Sequence, residues 1–177
     1  MERDVRPRVA LVGYGSLITP AELAALSDDA PDRAFPVKIE GLRRIFDQRT
    51  SWRSDDDVKC AVANAVRDPD AWMNGVLIPT VNRDEFATFR ERERWYRLIE
   101  VPFGDIVPYD EDDRDRLERT DLVLTTTGLE TDPDIEPIPG YVADCLESAG
   151  EWGEEFRDDF VESTATNAGK PVTEYRE

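Results

Sequence analysis

The chain is organised around one stretch near its amino terminus, Val9-Ala10-Leu11-Val12-Gly13-Tyr14-Gly15-Ser16-Leu17. Its apolar run, bounded by glycine and followed by Thr19-Pro20, predicts a buried strand that turns sharply into a helix. Gly13 and Gly15 allow backbone torsions that other residues resist, so consecutive amides of the turn can converge on one point. The pattern therefore predicts a cradle for a carboxylate or a developing oxyanion.

Two other interpretations compete for this stretch. The first is a dinucleotide-binding turn, which begins in the same way but needs a third glycine where this chain has Ile18. That missing glycine argues against a nucleotide site. The second is that the glycines serve only the shape of a strand-to-helix turn, and the stretch alone leaves this interpretation open.

Length and composition predict one domain with a sizeable core. The chain has 177 residues, of which 40% are hydrophobic, and we expect a single domain over residues 1–177 with its core at about residues 8–165 and polar termini. No window is apolar for long enough to cross a membrane, and residues 1–4 lead into the first strand without a secretory signal. We therefore expect a cytoplasmic protein.

Cysteine and histidine usage excludes several kinds of chemistry. Cys60 and Cys145 make neither a disulfide framework nor a metal-site spacing, and we expect both to be small buried residues. The sequence has no histidine, which removes the commonest metal ligand and general base. Serine-histidine and cysteine-histidine catalysis are therefore excluded.

The charge balance argues against nucleic acid and anionic membranes as partners. The net charge is −18, and a polyanion would be repelled in the absence of a concentrated basic patch. The imbalance is also internal, with 40 acidic residues against 3 lysines and 19 arginines. Such acidic, lysine-poor sequences are typical of extreme halophiles, because salt screens the self-repulsion of a hydrated acidic surface. The charge thus indicates a habitat, not a substrate.

Apolar periodicity predicts a mixture of short strands and helices in one chain, which is the pattern of an α+β domain. The predicted strands are one bent or two short strands at 34–47, followed by 60–66, 75–79, 95–103 and 121–129. The predicted helices are 21–26, 82–94, 141–149 and 154–161. Turn residues at 68–70 are expected to end a strand, residues 110–119 to form a charged connection, and residues 131–139 an extended loop. The acidic run at 55–57 indicates a solvated loop, since it lacks the spacing of a calcium loop.

One carboxylate stands out because it lies on an apolar helical face. Phe86, Phe89 and Glu93 fall at positions i, i+3 and i+7, so all three can share one side of a helix. Burial of this kind raises the pKa of a carboxyl group. The plainer alternative is a surface glutamate paired with Arg90 or Arg97, which is common on a charged helix.

Four segments together resemble the gamma-glutamylcyclotransferase-like family. Tyr14-Gly15-Ser16-Leu17 is similar to the family's Tyr-Gly-Ser-Leu or Tyr-Gly-Ser-Asn signature, and Gly75-Val76-Leu77 is similar to the strand before its catalytic helix. The segment 86–96 resembles the helix-to-strand element in which a catalytic glutamate ends the helix and a tyrosine opens the strand. Pro137-Ile138-Pro139-Gly140-Tyr141 resembles the proline-flanked tyrosine before a late helix. The resemblance spans residues 9–149 in conserved order.

The resemblance assigns roles to seven residues. It implies Glu93 as the catalytic carboxyl, and it implies substrate binding by Tyr14, Gly15, Ser16, Leu17, Tyr96 and Tyr141. Each tyrosine has a simpler interpretation as an amphipathic residue at the edge of the core. The chain departs from the family at Arg90, where an acidic residue is frequent, and at Arg94, where a glycine is frequent. Glu91 is therefore a competitor for the catalytic role.

The resemblance also implies a fold and a reaction. The fold is an α+β domain with a mixed β-sheet curled towards a barrel and helices around it. The reaction closes a gamma-glutamyl compound into 5-oxoproline and releases an amine, with a glutamate as general acid and base and without metal or organic cofactor. A small gamma-glutamyl compound is the expected partner, and the leaving amine and the oligomeric state are left open. The alternative is a catalytically inactive module that binds a small metabolite.

Overall fold

A computed structural model describes residues 7–49, 60–132, 134–137, 139–166 and 169–175, and within them the chain forms a mixed sheet surrounded by helices. The expected α+β fold with a curled mixed sheet is confirmed. The described strands are β1 Val9–Gly13, β2 Phe35–Arg49, β3 Cys60–Ile78, β4 Tyr96–Glu100, β5 Ile106–Pro108, β6 Leu122–Gly128, β7 Glu136–Pro137 and β8 Thr164–Ala165. The described α-helices are α1 Pro20–Ala24, α2 Ala30–Arg33, α3 Arg83–Arg92, α4 Arg114–Glu118, α5 Pro139–Glu151 and α6 Glu154–Ser163. The acidic run at 55–57 lies outside the described residues.

The strand β1 lies in the middle of the sheet. The strand order is β4-β6-β1-β3-β2-β5, with β1 parallel to β6 and antiparallel to β3. Ala10, Leu11 and Val12 are fully buried, as expected for a strand with neighbours on both sides and both faces covered. The turn that follows Gly13 therefore starts from a buried interior strand of the sheet.

The two longest strands correct the prediction of a strand end at Asp68-Pro69-Asp70. β3 runs without a break over the two segments that were predicted as separate strands. The register between β3 and β2 shifts at Asp68-Pro69-Asp70: Glu40 faces Trp72, whereas Leu42 faces Arg67. The Asp70 amide donates to the Asp68 carboxylate at 3.0 Å, so the turn chemistry is present but produces a bulge instead of ending the strand. The segment 34–47 is one bent strand, the first of the two predicted alternatives.

Two acidic segments form short helices that the sequence did not predict. Residues 110–119, expected as a charged connection, contain a 3-10 turn and α4, and Leu117 of that helix is buried in the core. The Asp110 carboxylate accepts a hydrogen bond from the Asp112 amide at 2.9 Å, which starts the turn. α2 likewise follows Asp29, where the sequence predicted only a helix stop.

The carboxyl-terminal segment extends the core beyond the predicted limit near residue 165. Val172 and Tyr175 are buried, and the Tyr175 hydroxyl donates to the Glu136 carboxylate at 2.9 Å. The expectation of a polar tail is therefore wrong for these residues. None of the helices in the described residues is long and apolar enough to cross a membrane.

Candidate active site

A cavity of about 380 Å³ opens where β1 ends. It is enclosed by the turn after β1, the adjacent ends of β2 and β3, the junction between α3 and β4, and single residues of β6 and α5. Its walls are formed by Val12, Gly13, Tyr14, Gly15, Ser16, Leu17, Arg49, Val62, Ala63, Arg92, Glu93, Arg94, Trp95, Tyr96, Thr126 and Tyr141. The structure thus brings all seven residues implied by the resemblance to one cavity.

The turn after β1 is held closely against α5 and β3. Gly15 is buried, and a Cβ atom at this position would lie 2.7 Å from the Tyr141 hydroxyl and 2.8 Å from the Ala63 Cβ. Only glycine fits so near to these atoms. Gly15 lies at the cavity wall, and within the described residues its amide donates no hydrogen bond. A ligand with a carboxylate or carbonyl oxygen can therefore accept from this amide.

The three tyrosines of the cavity hold separate backbone segments together. The Tyr14 hydroxyl donates to the Thr126 carbonyl at 2.8 Å, and the Tyr96 hydroxyl donates to the Ala63 carbonyl at 2.6 Å. The Tyr141 hydroxyl accepts from the Ser16 amide at 3.3 Å. Burial raises the pKa of both Tyr14 and Tyr96, so these two hydroxyls stay protonated at neutral pH. The tyrosine rings thus line the cavity while their hydroxyl groups fix its frame.

Hydrogen bonds fix both ends of helix α3, and the second of these ends lies at the cavity. At its start, the Asn82 side chain accepts from the Glu85 amide at 2.9 Å, and the Glu85 carboxylate accepts from the Asn82 amide at 3.0 Å. At its end, the Glu93 amide donates to the Phe89 carbonyl at 2.9 Å, and the Tyr96 amide donates to the Glu93 carbonyl at the same distance. Glu93 thus occupies the position that ends the helix, with Phe89 buried one turn before it.

Burial separates the two candidate glutamates. The Glu93 side chain is 16% exposed, whereas the Glu91 side chain is 81% exposed and lies outside the cavity wall. Burial raises the pKa of the Glu93 carboxyl, and the neighbouring Arg92 guanidinium opposes part of that rise. Glu93 is therefore the carboxyl group that can take up and release a proton inside the cavity.

Arg92 is a cavity residue that the sequence analysis did not identify. It donates to the Ser16 hydroxyl at 2.7 Å and to the Glu22 carboxylate of α1, and its Nε lies 3.6 Å from the Glu93 carboxylate. These neighbours come from the turn, from α1 and from the end of α3. Alternating arginine and glutamate along 90–94 gave no signal that would distinguish this arginine from its neighbours.

Arg44 supports the turn from inside the core. Its Nε donates to the Tyr14 carbonyl at 2.7 Å, and its other nitrogens donate to the Asn74 side chain at 2.9 Å and to the hydroxyls of Ser163 and Thr164 at 3.1 Å each. The side chain is fully buried, and no carboxylate pairs with it among the described residues. Burial lowers its pKa, yet a guanidinium remains charged at neutral pH. The turn therefore contacts a buried positive charge, which favours binding of an anion at the turn.

The described residues do not offer a set of metal ligands. No three histidine, cysteine, aspartate or glutamate side chains come together in the part of the chain that the structure describes. Cys145 is buried, as expected for a small core residue. The polar side-chain groups that line the cavity are one largely buried carboxyl, hydroxyl groups of serine, threonine and tyrosine, the indole of Trp95, and guanidinium groups.

Comparison with solved structures finds the same fold in several proteins. A gamma-glutamyl cyclotransferase superposes with a TM-score of 0.63 at 14% identity, over 93% of this chain and 89% of that chain. A gamma-glutamyl cyclotransferase from yeast that is specific to glutathione gives a TM-score of 0.61 at 14% identity, over 96% and 100% of the two chains. An uncharacterized protein from Homo sapiens gives 0.58 at 16% identity, over 94% and 90%. No model of a known protein family matches the chain, and no curated protein matches it by sequence.

Proposed function

From the gamma-glutamylcyclotransferase-like fold of this chain, we propose that the protein is a gamma-glutamyl cyclotransferase that acts in the cytoplasm on a small gamma-glutamyl compound. One observation carries the proposal: Glu93, whose side chain is only 16% exposed, and the turn at Gly15, whose amide donates no hydrogen bond within the described residues, line the same cavity. A proton acceptor and an anion cradle in one small cavity are the two groups that ring closure of a gamma-glutamyl group requires.

The reaction is an intramolecular acyl transfer. The α-amine nitrogen of the substrate attacks its own γ-carbonyl carbon, and the carbonyl oxygen takes up negative charge as the five-membered ring closes. The bond from that carbon to the leaving nitrogen then breaks, which gives 5-oxoproline and a free amine. A cavity that holds the flexible substrate in a folded conformation supplies much of the rate, because the ends of the chain need not find each other in solution.

Glu93 is the proposed carrier of the proton. The α-amine of the substrate is protonated at neutral pH, since its ordinary pKa is about 8. A carboxyl whose pKa is raised by burial is a closer match to this amine than an ordinary glutamate is. Glu93 takes one proton from the α-ammonium before attack and returns it to the leaving nitrogen as the carbon–nitrogen bond breaks. The attacking nitrogen then gives up its second proton, through the same carboxyl, to the released amine, so that no proton is lost or gained over the cycle.

The turn is the proposed cradle for negative charge. Gly15 and Ser16 both line the cavity, and the Ser16 amide donates to the Tyr141 hydroxyl at 3.3 Å. That long hydrogen bond can be exchanged for a stronger one to a carboxylate or an oxyanion. Leu17 adds an apolar wall, and Tyr96 lines the cavity while its hydroxyl donates to the Ala63 carbonyl of β3.

The experiment compares Glu93→Gln with Glu91→Gln. Release of 5-oxoproline is measured from a panel of gamma-glutamyl amino acids, peptides and amines, which also identifies the leaving group. General acid-base catalysis contributes roughly two to four orders of magnitude in rate, and we expect Glu93→Gln to lose activity on that scale. Glu91→Gln is the matched control and should keep its activity, because Glu91 is exposed and outside the cavity.

The stability of Glu93→Gln follows from the direction of the pKa shift. Burial raises the pKa of Glu93 in the folded protein, so the folded state holds this proton to a higher pH than the unfolded chain does. Between the ordinary pKa and the raised pKa, the folded protein therefore loses stability as the pH rises. Glutamine carries no charge, so the variant should melt no lower than the natural protein at neutral pH.

One outcome would contradict the proposed activity. If the natural protein bound gamma-glutamyl compounds without releasing 5-oxoproline, it would be a catalytically inactive module that binds a small metabolite.

A further inference from the structure

One guanidinium group in the cavity is shared among three partners. Arg92 Nη1 contacts the Glu22 carboxylate, Nη2 contacts the Ser16 hydroxyl at 2.7 Å, and Nε lies 3.6 Å from the Glu93 carboxylate. Nε is buried and makes no hydrogen bond within the described residues. The contact with Glu93 is thus the weakest of the three, although Glu93 is the next residue in the chain.

We propose that Glu22 and Arg92 are positioning residues for the cyclotransferase reaction, in which Glu22 draws the Arg92 guanidinium against Ser16 and away from a full ion pair with Glu93. The inference rests on the proposed function, because it assigns a role relative to the proton carrier. Glu22 suits the task because the Thr19 side chain caps α1 and accepts from the Glu22 amide at 3.1 Å, which fixes the start of that helix. The pair also orients the Ser16 side chain beside the turn.

A free Arg92 would compete with the reaction. An opposite charge within about 4–6 Å lowers the pKa of a carboxyl by roughly one to three units, and a glutamate with a low pKa accepts a proton from an ammonium group poorly. With Glu22 in place, the charge of Arg92 is already balanced by a carboxylate that takes no part in the chemistry. Burial then keeps the pKa of Glu93 above its ordinary value, since Arg92 opposes only part of that rise and the Glu22 carboxylate adds to it.

Other groups facing Glu93 do not substitute for this pair. Tyr14 from the turn and Tyr96 from β4 act on Glu93 as buried hydroxyl groups that stay neutral. Arg49 and Arg94 also line the cavity, but each has its own carboxylate partner, at 2.9 Å from Asp132 and 3.6 Å from Glu91. Tyr141 from α5 contacts the Ser16 amide. Arg92 is therefore the cation that Glu22 must restrain.

The test is the acid limb of the pH profile of kcat/KM for 5-oxoproline release. Glu22→Gln frees Arg92 to pair with Glu93 and should shift this limb to lower pH, whereas Arg92→Met should shift it to higher pH. Each shift should be roughly one pH unit. The double variant should follow Arg92→Met closely, because Glu22 acts mainly through Arg92. Glu111→Gln, which breaks an exposed ion pair with Arg114 outside the cavity, is the control and should leave the limb unchanged.

A second measurement does not depend on turnover. The side-chain carboxyl of Glu93 can be titrated by carbon-13 NMR in the natural protein and in the same variants, each first shown to be folded by circular dichroism. Opposite shifts for Glu22→Gln and Arg92→Met support the proposal. Shifts in the same direction, or no shift, overturn it. If the natural protein released no 5-oxoproline, the proposed function would fail, whereas the titration would still decide whether Glu22 controls the charge environment of Glu93.

Discussion

Replacing Gly15 by alanine would place a methyl group in space that two neighbours already fill. The new Cβ would lie 2.8 Å from the Ala63 Cβ and 2.7 Å from the Tyr141 hydroxyl oxygen. Carbon atoms in contact stay about 3.5–4.0 Å apart, so β3 or the turn would have to retreat by at least about 0.7 Å. Overpacking of this kind costs about 1–3 kcal/mol. Loss of the hydrogen bond from the Ser16 amide to Tyr141 adds about 0.5–1.5 kcal/mol, and we expect a total of about 1.5–4.5 kcal/mol.

Chemical denaturation of Gly15→Ala and of a matched control measures this loss. The control is Gly104→Ala, since a Cβ there meets no atom within 4 Å, and we expect a change within about 0.5 kcal/mol. Tyr141→Phe removes the oxygen that the new methyl would meet. In a double-mutant cycle, Gly15→Ala and Tyr141→Phe together should therefore destabilise the fold by about 1 kcal/mol less than the sum of the single changes. Equal stability of Gly15→Ala and Gly104→Ala, or strict additivity in the cycle, would refute the packing argument.

Two further predictions concern the buried arginine and the acidic surface. Arg44→Met would leave the Tyr14 carbonyl and the Asn74 side chain without their donor, so we expect the free energy of unfolding to fall by at least about 2 kcal/mol in a denaturant titration. Unchanged stability would show that the cost of burying the charge outweighs those hydrogen bonds. The melting temperature should rise from about 0.1 M to about 2 M potassium chloride, because salt shortens the range over which the net charge of −18 repels itself. A flat or falling melting temperature would contradict the halophile interpretation.

The parts of the site that could be predicted are those encoded by local pattern. The turn after β1 follows from an apolar run that stops at glycines, and the place of Glu93 beside Phe89 on the apolar side of α3 follows from aromatic residues at helical spacing before it. Both are properties of a few neighbouring residues, so one sequence is enough to see them. The roles assigned to these residues remain predictions that the activity measurements test.

The parts that escaped prediction depend on distant partners. Glu22 and Arg92 are 70 residues apart, and in a chain with 35% charged residues nothing marks one acidic residue as the partner of one arginine. The Asp68-Pro69-Asp70 segment contains sound turn chemistry, but pairing with β2 on both sides of it keeps β3 continuous. Arg44 is buried only because Asn74 and the end of α6 supply acceptors for it. Tertiary contacts decided each of these outcomes against the local signal.

The central position of β1 in the sheet has a consequence for folding during synthesis. β1 precedes the other strands in the sequence, but it pairs with Leu77 and Ile78 of β3 on one side and with residues from Leu122 onward in β6 on the other. Contacts between residues so far apart in sequence form late, because a long loop must close before they are gained. Tyr14 reaches Thr126 across 112 residues, and Tyr141 emerges from the ribosome later still. The cavity is therefore assembled only after Tyr141 has left the ribosome, and a nascent chain that has already made its glycine turn and its helix α3 still has no closed pocket in which to hold a ligand.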